Sequence, residues 1–504
     1  MKATLRSFLL AVMLTLATTV TTKAAEPRVD FDTLRERAKA LAAAPYVAPP
    51  DILPPWLKDL TYNGYRGITF DPERLFWQRE RGLFKLSFFH PGGINRDLVR
   101  LHELRDGRPI DIPFQSDLFS FGTVQKGPLP EGLNYAGFRL HYPLAQPRDE
   151  LGAFQGASYY RFLGKGTHYG LSARGIALNT AEPAPDAEEF PRFTEFWIER
   201  PGIRSQQITV FALLDGPSVA GAYRFLIEPG DDTVLEVKAA LYFRRTPKVL
   251  GLAPLTSMYW RGENSGERGQ DFRPEVHDSD GLFVHTGAGE WVWRPLTHIG
   301  VIRRMAFIDD NLRGFGLFQR DRTYENYEDL VAWYHIRPSV WIEPIGQWGK
   351  GSVRLIELPT QDEYQDNMVA FWTPDALPQP GVPLEIEYRQ HWGLDPVEAP
   401  LGYVTATRVG RSVADRPDLV RFVVDFSGPQ LKELDASAAV TPALAVGPGA
   451  SIDHSHIEKN PVNGSWRVVF ALKPDASGNP VELRCSLREG TRTLTETWSY
   501  LWNP

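Results

Sequence analysis

Short runs of alternating apolar and polar residues, separated by glycine and proline, dominate this chain of 504 residues. The alternation is clear at 235–239, 421–426 and 481–488. A period of two places one face of a strand against a core and the other face toward solvent. Because 43 glycines and 41 prolines are available for turns, the pattern predicts an all-β fold of the sandwich type.

The last strands form the clearest pair. Apolar residues at 481, 483, 485 and 487 alternate with polar ones, Glu489-Gly490 turns the chain, and a second run carries Trp498, Tyr500 and Trp502. This predicts a terminal hairpin in which Cys485 faces the core as an inert thiol. Cys485 is the single cysteine, which excludes an intrachain disulfide and leaves stability to burial.

Helical patterns are few. Apolar residues recur at helical spacing over 31–41, and Thr33-Leu34-Arg35-Glu36 matches a capping box, so one helix is predicted over about 31–43, ending before Pro45. A second, shorter helix is predicted to begin at Asp71-Pro72, where proline would occupy the first helical position.

The chain exceeds the size at which a single hydrophobic core stops growing, so at least two domains are expected. Residues 55–393 hold most of the tryptophans, whereas 403–497 is poorer in aromatic residues. Between these regions lies a proline-bearing stretch, Leu394 to Pro400. We predict a large domain over residues 26–393, a linker over 394–402 and a smaller β-sandwich over 403–504.

The N-terminus has the pattern of a secretory signal peptide. Lys2 and Arg6 precede an apolar run over 7–20, and Thr22-Lys23-Ala24 places small residues where a signal peptidase reads. A signal peptide over 1–25 is therefore predicted, using the general secretory route because a twin-arginine pair is missing. The apolar run is shorter than the ~20 residues of a spanning helix, so the mature protein is expected to be soluble, periplasmic and not membrane-spanning.

Charge and motif content exclude several classes of protein. Loss of three of the 55 basic residues with the signal peptide leaves 52 against 62 acidic residues, which argues against nucleic acid as a partner. The glycines of 164–170 lack dinucleotide-binding spacing, and cysteine and histidine give no zinc pattern. Asp278-Ser279-Asp280-Gly281 resembles the start of a calcium loop without its later ligands. No metal or other cofactor is expected.

Carboxylates cluster beside aromatic residues in four places of the sequence. A pyranose ring stacks its C–H face on an aromatic ring, and cleavage of a glycosidic bond needs two carboxyl groups. A single tryptophan is more often a core residue, and a single carboxylate more often a surface group. Carbohydrate binding is indicated by the combination of the two residue types, which occurs at residues 275–293, 309–325, 333–343 and 362–372.

Several longer stretches resemble the periplasmic glucan biosynthesis protein G and D family. The resemblance covers nearly all of the mature chain with the motifs in order, and the secretory signal is the type expected of protein G. The stretches are Phe88-Phe89-His90-Pro91-Gly92, Ala253 to Trp260, Arg273 to Leu282, Gly289 to Leu296, Arg313 to Leu317, Gly346 to Gly351 and Asp366 to Trp372.

The resemblance implies a large mutarotase-like β-sandwich with a groove, followed by an immunoglobulin-like sandwich. It implies a role in making osmoregulated periplasmic glucans, with some members acting as inverting glycoside hydrolases on β-1,2-glucan. Carried over by motif, the general acid falls on Asp366 and the general base on Asp278, with Tyr334 and Glu363 supporting proton transfer. Asp366 would need a raised pKa, from burial or from the charge of Glu363.

The expected partners are a β-glucan chain and a membrane-bound glucan synthase. Two alternatives to hydrolysis stay open: a non-catalytic protein that binds or assembles glucan with the synthase, and a mutarotase-like epimerase suggested by fold analogy alone. The side chains expected to contact the sugar are Trp260, Asp280, Trp291, Trp293, Trp333, Trp341 and Trp348.

Overall fold

The computed structural model describes residues 28–185, 187–266, 271–397, 399–411 and 416–504. The predicted signal peptide, residues 1–25, lies outside the described residues, as does Glu398 of the predicted linker. No helix in the described ranges is long and apolar enough to span a bilayer. Strands provide most of the regular structure, so the all-β prediction is confirmed.

Helix α1 spans Phe31–Ala43, as predicted, and packs on the strands around it through Leu34 and Ala38. Its capping box differs from the prediction, because the Asp30 carboxylate accepts from the Thr33 backbone N–H and the Thr33 hydroxyl oxygen accepts from the Asp30 backbone N–H. The predicted second helix is a 3₁₀ turn, Pro72–Arg74, capped by Asp71. The other short helices are α2 (Pro55–Lys58), α3 (Tyr62–Arg66) and α4 (Pro429–Glu433), with 3₁₀ turns at Ser116–Leu118, Tyr324–Asn326 and Tyr334–Ile336.

The strands before residue 394 follow one another closely along the chain. They are β1 (Thr69–Phe70), β2 (Lys85–Phe88), β3 (Arg100–Arg105), β4 (Arg108–Asp111), β5 (Phe119–Ser120), β6 (Gly137–His141), β7 (Glu150–Gln155), β8 (Tyr159–Phe162), β9 (Ser172–Arg174), β10 (Ile176–Leu178), β11 (Arg192–Glu199), β12 (Ile208–Asp215), β13 (Val219–Glu228), β14 (Thr233–Phe243), β15 (Leu250–Ser257), β16 (Tyr259–Arg261), β17 (Val276–His277), β18 (Gly281–His285), β19 (Trp291–Pro295), β20 (Arg303–Asp310), β21 (Gly314–Phe318), β22 (Ser339–Pro344), β23 (Lys350–Glu357), β24 (Met368–Pro374) and β25 (Leu384–Gly393).

The strands after residue 402 belong to the C-terminal part of the chain. They are β26 (Tyr403–Arg411), β27 (Val420–Ser427), β28 (Val440–Val446), β29 (Ala450–Lys459), β30 (Trp466–Pro474), β31 (Val481–Glu489), β32 (Arg492–Thr493) and β33 (Thr497–Trp502). The predicted terminal hairpin is confirmed, since β31 pairs antiparallel with β33. Cys485 is fully buried, and burial raises the pKa of its thiol to about 12.

Two large sheets enclose the main core. In the described residues, the ten-stranded front sheet has the order β2-β6-β7-β8-β9-β15-β24-β23-β20, with β10 beside β15. The 15-stranded long sheet has the order β28-β31-β33-β19-β18-β21-β22-β25-β14-β13-β12-β11-β3-β4, with β32 beside β31. Alternate side chains of both sheets meet in one apolar cluster, which includes Phe138, Phe154, Phe196, Phe225 and Trp372.

The long sheet continues into the C-terminal strands. Strand β33 pairs parallel with β19, placing Thr497 beside Val292 and Trp498 beside Trp293. Strands β26, β27, β30 and β29 form a separate end sheet, which packs through residues such as Phe422 and Phe470 against this end of the long sheet in a second core. The predicted division into two domains at 394–402 stays a prediction.

Candidate functional site

The outer face of the front sheet carries a row of polar side chains. Arg139 on β6 and Arg161 on β8 both lie opposite Ala153 of the strand between them, so the two guanidinium groups share one face. Farther along this face, Ser172 on β9 lies opposite Thr256 on β15. The core face of the same strands is apolar, which is the alternation seen in the sequence.

Asp366 lies at the end of this row, two residues before β24. The Thr256 hydroxyl donates to Asp366 Oδ2 at 3.2 Å, and the Ser172 and Thr256 hydroxyl oxygens are 2.6 Å apart. Asp366 is exposed, yet removal from water by the surrounding protein raises its pKa, against the Thr256 hydrogen bond and the charges of Arg174, Arg161 and Arg337. Asp366 is therefore a solvent-accessible carboxyl whose charged form the surrounding protein disfavours.

The neighbouring residue, Asn367, fixes the backbone beside this carboxyl. Its side-chain oxygen accepts from the Tyr259 N–H at 2.8 Å, and its amide donates to the Tyr259 carbonyl at 2.9 Å. Asn367 is almost fully buried, and its own N–H donates to the Ser257 carbonyl. The Asp-Asn pair therefore joins an exposed carboxyl to a buried anchor, which limits the freedom of Asp366.

Asp278 lies between β17 and β18, and its side chain keeps only 6% of its surface. Arg337 forms a short ion pair with Asp278 Oδ1. Burial raises the pKa of Asp278 to about 6, although the charge of Arg337 opposes this, while the charge of Asp366 raises it further. The two acidic residues, 88 positions apart in sequence, are therefore close enough to interact electrostatically.

Tyr334 and Glu363 complete the same cluster. The Tyr334 hydroxyl donates to Glu363 Oε2 at 2.8 Å, and the Arg337 guanidinium lies 4.4 Å from the centroid of the Tyr334 ring. Arg273 binds Glu363 at 2.6 Å and Asp329 at 2.8 Å, which ties three loops together. The four residues that the resemblance proposed as catalytic therefore lie in one neighbourhood, where Arg337 contacts Asp278 and Tyr334 and its charge acts on Asp366.

Two of the predicted sugar-binding tryptophans lie beside this cluster. Trp260 is half-buried, stacks on His298 at 5.2 Å between ring centroids, and packs near Tyr334. Trp333 directly precedes Tyr334 in a left-handed backbone conformation and is 37% exposed. Trp333 is thus available to a ligand, and Tyr364, two residues before Asp366, is 86% exposed.

Four other predicted contacts do not belong to this cluster. Trp291, Trp293 and Trp341 are buried in the second core, where they pack against Phe283. Trp348 packs against the main core, 6.0 Å from the Tyr388 ring centroid. Burial of Trp291, Trp293 and Trp341 leaves little of those three indole faces for a sugar. Trp348 is half-buried, and its role as a sugar contact stays a prediction.

Asp280, which was also predicted to contact the sugar, is held by contacts within the protein. Its Oδ2 accepts from the backbone N–H groups of Arg320 and Asp321, and its Oδ1 lies 3.3 Å from His277 Nδ1. Burial alone would lower the pKa of His277, but Asp280 and Glu275 raise it to about 9. The imidazole is therefore protonated at neutral pH.

Among the described residues, Glu275, His277 and Asp280 form a group that could hold a metal ion, because possible ligand atoms of all three lie within 4.8 Å of one another. Both ring nitrogens of His277 are engaged, with Glu275 Oε2 and Gln319 Oε1, each at 2.8 Å. We therefore interpret this group as an ion-pair cluster that holds the Asp278 segment.

No role was predicted for the arginines of this site. Arg273 begins one of the motif stretches and Arg337 lies in the aromatic-rich region 333–343, but each pairs with a carboxylate that is distant in sequence, Glu363 and Asp278 respectively. Thr256 lies within the stretch Ala253 to Trp260, but no role was predicted for it either. These partners could have been anticipated in kind, because a buried carboxylate needs a cation or a hydroxyl group beside it.

Residues 29–502 match the family described as "Periplasmic glucan biosynthesis protein, MdoG". The chain belongs to this family. The resemblance stated from the motifs is thereby confirmed, and family membership extends over both cores and over the whole Asp366 cluster.

Curated relatives support the same assignment. Glucans biosynthesis protein G of Ralstonia nicotianae is 46% identical over 479 residues, covering 93% of this chain and 95% of the relative. The protein of the same name from Rhodopseudomonas palustris is 44% identical, covering 94% and 93%, and that from Sodalis glossinidius is 43% identical, covering 94% and 92%. Among solved structures, the Slr1438 protein of Synechocystis aligns with 52% of the chain at a TM-score of 0.17, too low to support an argument.

Proposed function

We propose that this protein acts in the periplasm on a β-glucan chain during glucan biosynthesis, and that it hydrolyses β-1,2-glucan with inversion. The coarser role, in glucan biosynthesis, follows from the family. The hydrolysis is suggested by one observation: an exposed carboxyl with a raised pKa, Asp366, faces a cluster that holds a second carboxyl, Asp278.

In this mechanism the two carboxyls have different tasks. Asp366, reachable from solvent, protonates the oxygen of the leaving sugar, while ionised Asp278 accepts a proton from the attacking water. A sugar that covers Asp366 would remove the remaining water from it and raise its pKa further, which favours the protonated form that a general acid needs. Tyr334 and Glu363, hydrogen-bonded beside Asp278, would relay or hold the transferred proton.

A non-catalytic role in binding glucan for a membrane-bound synthase is the second candidate. It is favoured by the closed ion pair of Asp278 with Arg337, which leaves little of the carboxyl open to water. The two functions differ in product. Purified mature protein incubated with linear β-1,2-glucan is expected to release new reducing ends, first as the inverted anomer by NMR. Binding without shortening of the chain would instead support the assembly role.

Hydrolysis is expected to depend on pH through Asp278. Because the pKa of this carboxyl is about 6, kcat/KM should fall as the pH is lowered through 6, since the protonated carboxyl cannot accept a proton from water. The measurement is the initial rate of reducing-end release across this range. A rate that stays constant well below pH 6 would contradict the assignment of Asp278 as base.

Replacement of Trp333 by alanine is expected to weaken binding of linear β-1,2-glucan by about tenfold, which corresponds to ~1.4 kcal/mol. The reason is loss of an exposed indole face beside the cluster. Calorimetric titration measures the affinity. The denaturant midpoint of the variant should equal that of the wild type, because the side chain is 37% exposed; unchanged affinity would remove Trp333 from the binding surface.

A further inference from the structure

Arg337 occupies a fixed position beside Asp278. It follows the 3₁₀ turn Tyr334–Ile336, and its side chain is only 16% exposed. Its Nε donates to the Ala332 carbonyl at 3.0 Å, its Nη1 pairs with Asp278, and its guanidinium stacks 4.4 Å from the Tyr334 ring centroid. Three different contacts therefore hold the cation in place.

The loop between β8 and β9 provides the space for this side chain. A methyl group on Gly170 would lie 2.9 Å from the Cβ of Arg337, 3.0 Å from its Cδ and 3.2 Å from its Cγ. The stem of Arg337 thus runs directly over the backbone of Gly170. Any side chain at position 170 would have to displace the arginine, because three successive carbons of the stem are in the way.

The charge of Arg337 acts unequally on the two acidic residues. It touches Asp278 directly, whereas the direct partner of Asp366 is the neutral Thr256 hydroxyl. The charge of Arg337 lowers the pKa of both carboxyls. The other charged or titratable groups that act on Asp278 are Asp366 and His277, and those that act on Asp366 are Arg161 and Arg174, with Tyr159 nearby.

An inverting hydrolase needs one ionised and one protonated carboxyl at the same pH. We propose that Arg337 is the positioning residue that keeps the buried Asp278 ionised and so leaves the proton of the pair to Asp366. This role of Arg337 rests on the proposed hydrolysis, and it explains why Asp278 acts as the base and Asp366 as the acid. Asp278 needs this cation because it is the less accessible to water of the two carboxyls.

The test is the pH profile of kcat/KM on linear β-1,2-glucan. Removal of a contacting opposite charge raises the pKa of a carboxyl by about 1–3 units, so R337Q is expected to move the acidic limb of the profile to higher pH by about that amount. The rate near pH 6 is expected to fall about fivefold for the smallest of these shifts and more for a larger one, and to recover partly in more alkaline buffer. R337K retains the charge and should keep the limb near its wild-type position.

Two further variants separate this effect from general damage. G170A retains every charge but displaces the guanidinium, and is expected to shift the limb in the same direction by a smaller amount. R192Q removes an arginine of similar exposure, 18%, from its carboxylate partner Asp97 at 2.6 Å in another part of the fold. R192Q is expected to retain the wild-type profile.

Each result decides between the proposals. A shifted limb in R337Q and G170A, with R192Q unchanged, supports the role of Arg337. A wild-type limb in R337Q, or a uniform loss of rate at every pH, overturns that role while the hydrolysis stands. If R337Q does not fold, G170A carries the test through its shifted limb, and R337K is the control that retains the wild-type limb. A wild-type protein that binds glucan without cleaving it overturns the hydrolysis, and the role of Arg337 with it.

Discussion

Replacement of Asp366 by asparagine is expected to reduce the rate of β-1,2-glucan cleavage by about 10²- to 10⁴-fold, the usual contribution of a general acid. The amide can still accept from the Thr256 hydroxyl, but it has no proton to donate to the leaving sugar oxygen. Affinity for the glucan should change little, because the side chain keeps its size and its hydrogen bond. Reducing-end release and calorimetric titration measure the two quantities on the same preparation.

Asp375→Asn is the matched control for this variant. Asp375 is exposed and directly follows β24, so it lies at the opposite end of the strand that Asp366 precedes. The control should cleave glucan at the wild-type rate. Cleavage at the wild-type rate by Asp366→Asn itself would remove the general-acid assignment and leave only a role in binding.

Replacement of Trp293 by alanine is expected to lower the free energy of unfolding by about 3–5 kcal/mol, as for other large aromatic residues removed from a core. Trp293 is 3% exposed, lies beside Trp498 in the sheet, and has the Arg320 guanidinium 3.6 Å from its ring centroid. Denaturant unfolding monitored by circular dichroism measures the loss. The folded fraction should bind glucan with wild-type affinity.

Trp333→Ala forms the matched comparison, since the same change is made in an exposed tryptophan. The two variants are expected to show opposite results, with loss of stability for Trp293 and loss of affinity for Trp333. A Trp293 variant of wild-type stability that has lost affinity for glucan would restore the sequence-based interpretation of this residue as a sugar contact.

The fold was largely predictable because its signals are local. Alternation over 481–488 identified β31, and helical spacing over 31–41 identified α1, since each pattern needs only one face of one element against a core. The cap of α1 was placed wrongly because Asp30 and Thr33 satisfy the helix end earlier than the Thr33-to-Glu36 pattern suggested. Short side chains compete for the same N–H groups, and sequence does not rank them.

The site was predictable only in part. Asp278, Tyr334, Glu363 and Asp366 were proposed by resemblance, and the structure places them together. The resemblance could not distinguish buried tryptophans from exposed ones. Trp293 and Trp333 both lie in sequences rich in carboxylates and aromatic residues. Trp293, however, pairs in the sheet with Trp498 of β33, which comes much later in the chain. No local pattern contains that information.

The parallel ladder between β19 and β33 restricts how this molecule can move. A hinge that swung the C-terminal strands away from the large part would break backbone hydrogen bonds within one continuous sheet and open the apolar packing around Trp498. Rigid-body opening of the kind used by many two-lobed binding proteins is therefore costly here. Movement is therefore expected in the loops that Arg273 and Arg337 hold, because breaking one ion pair there releases one segment at a time.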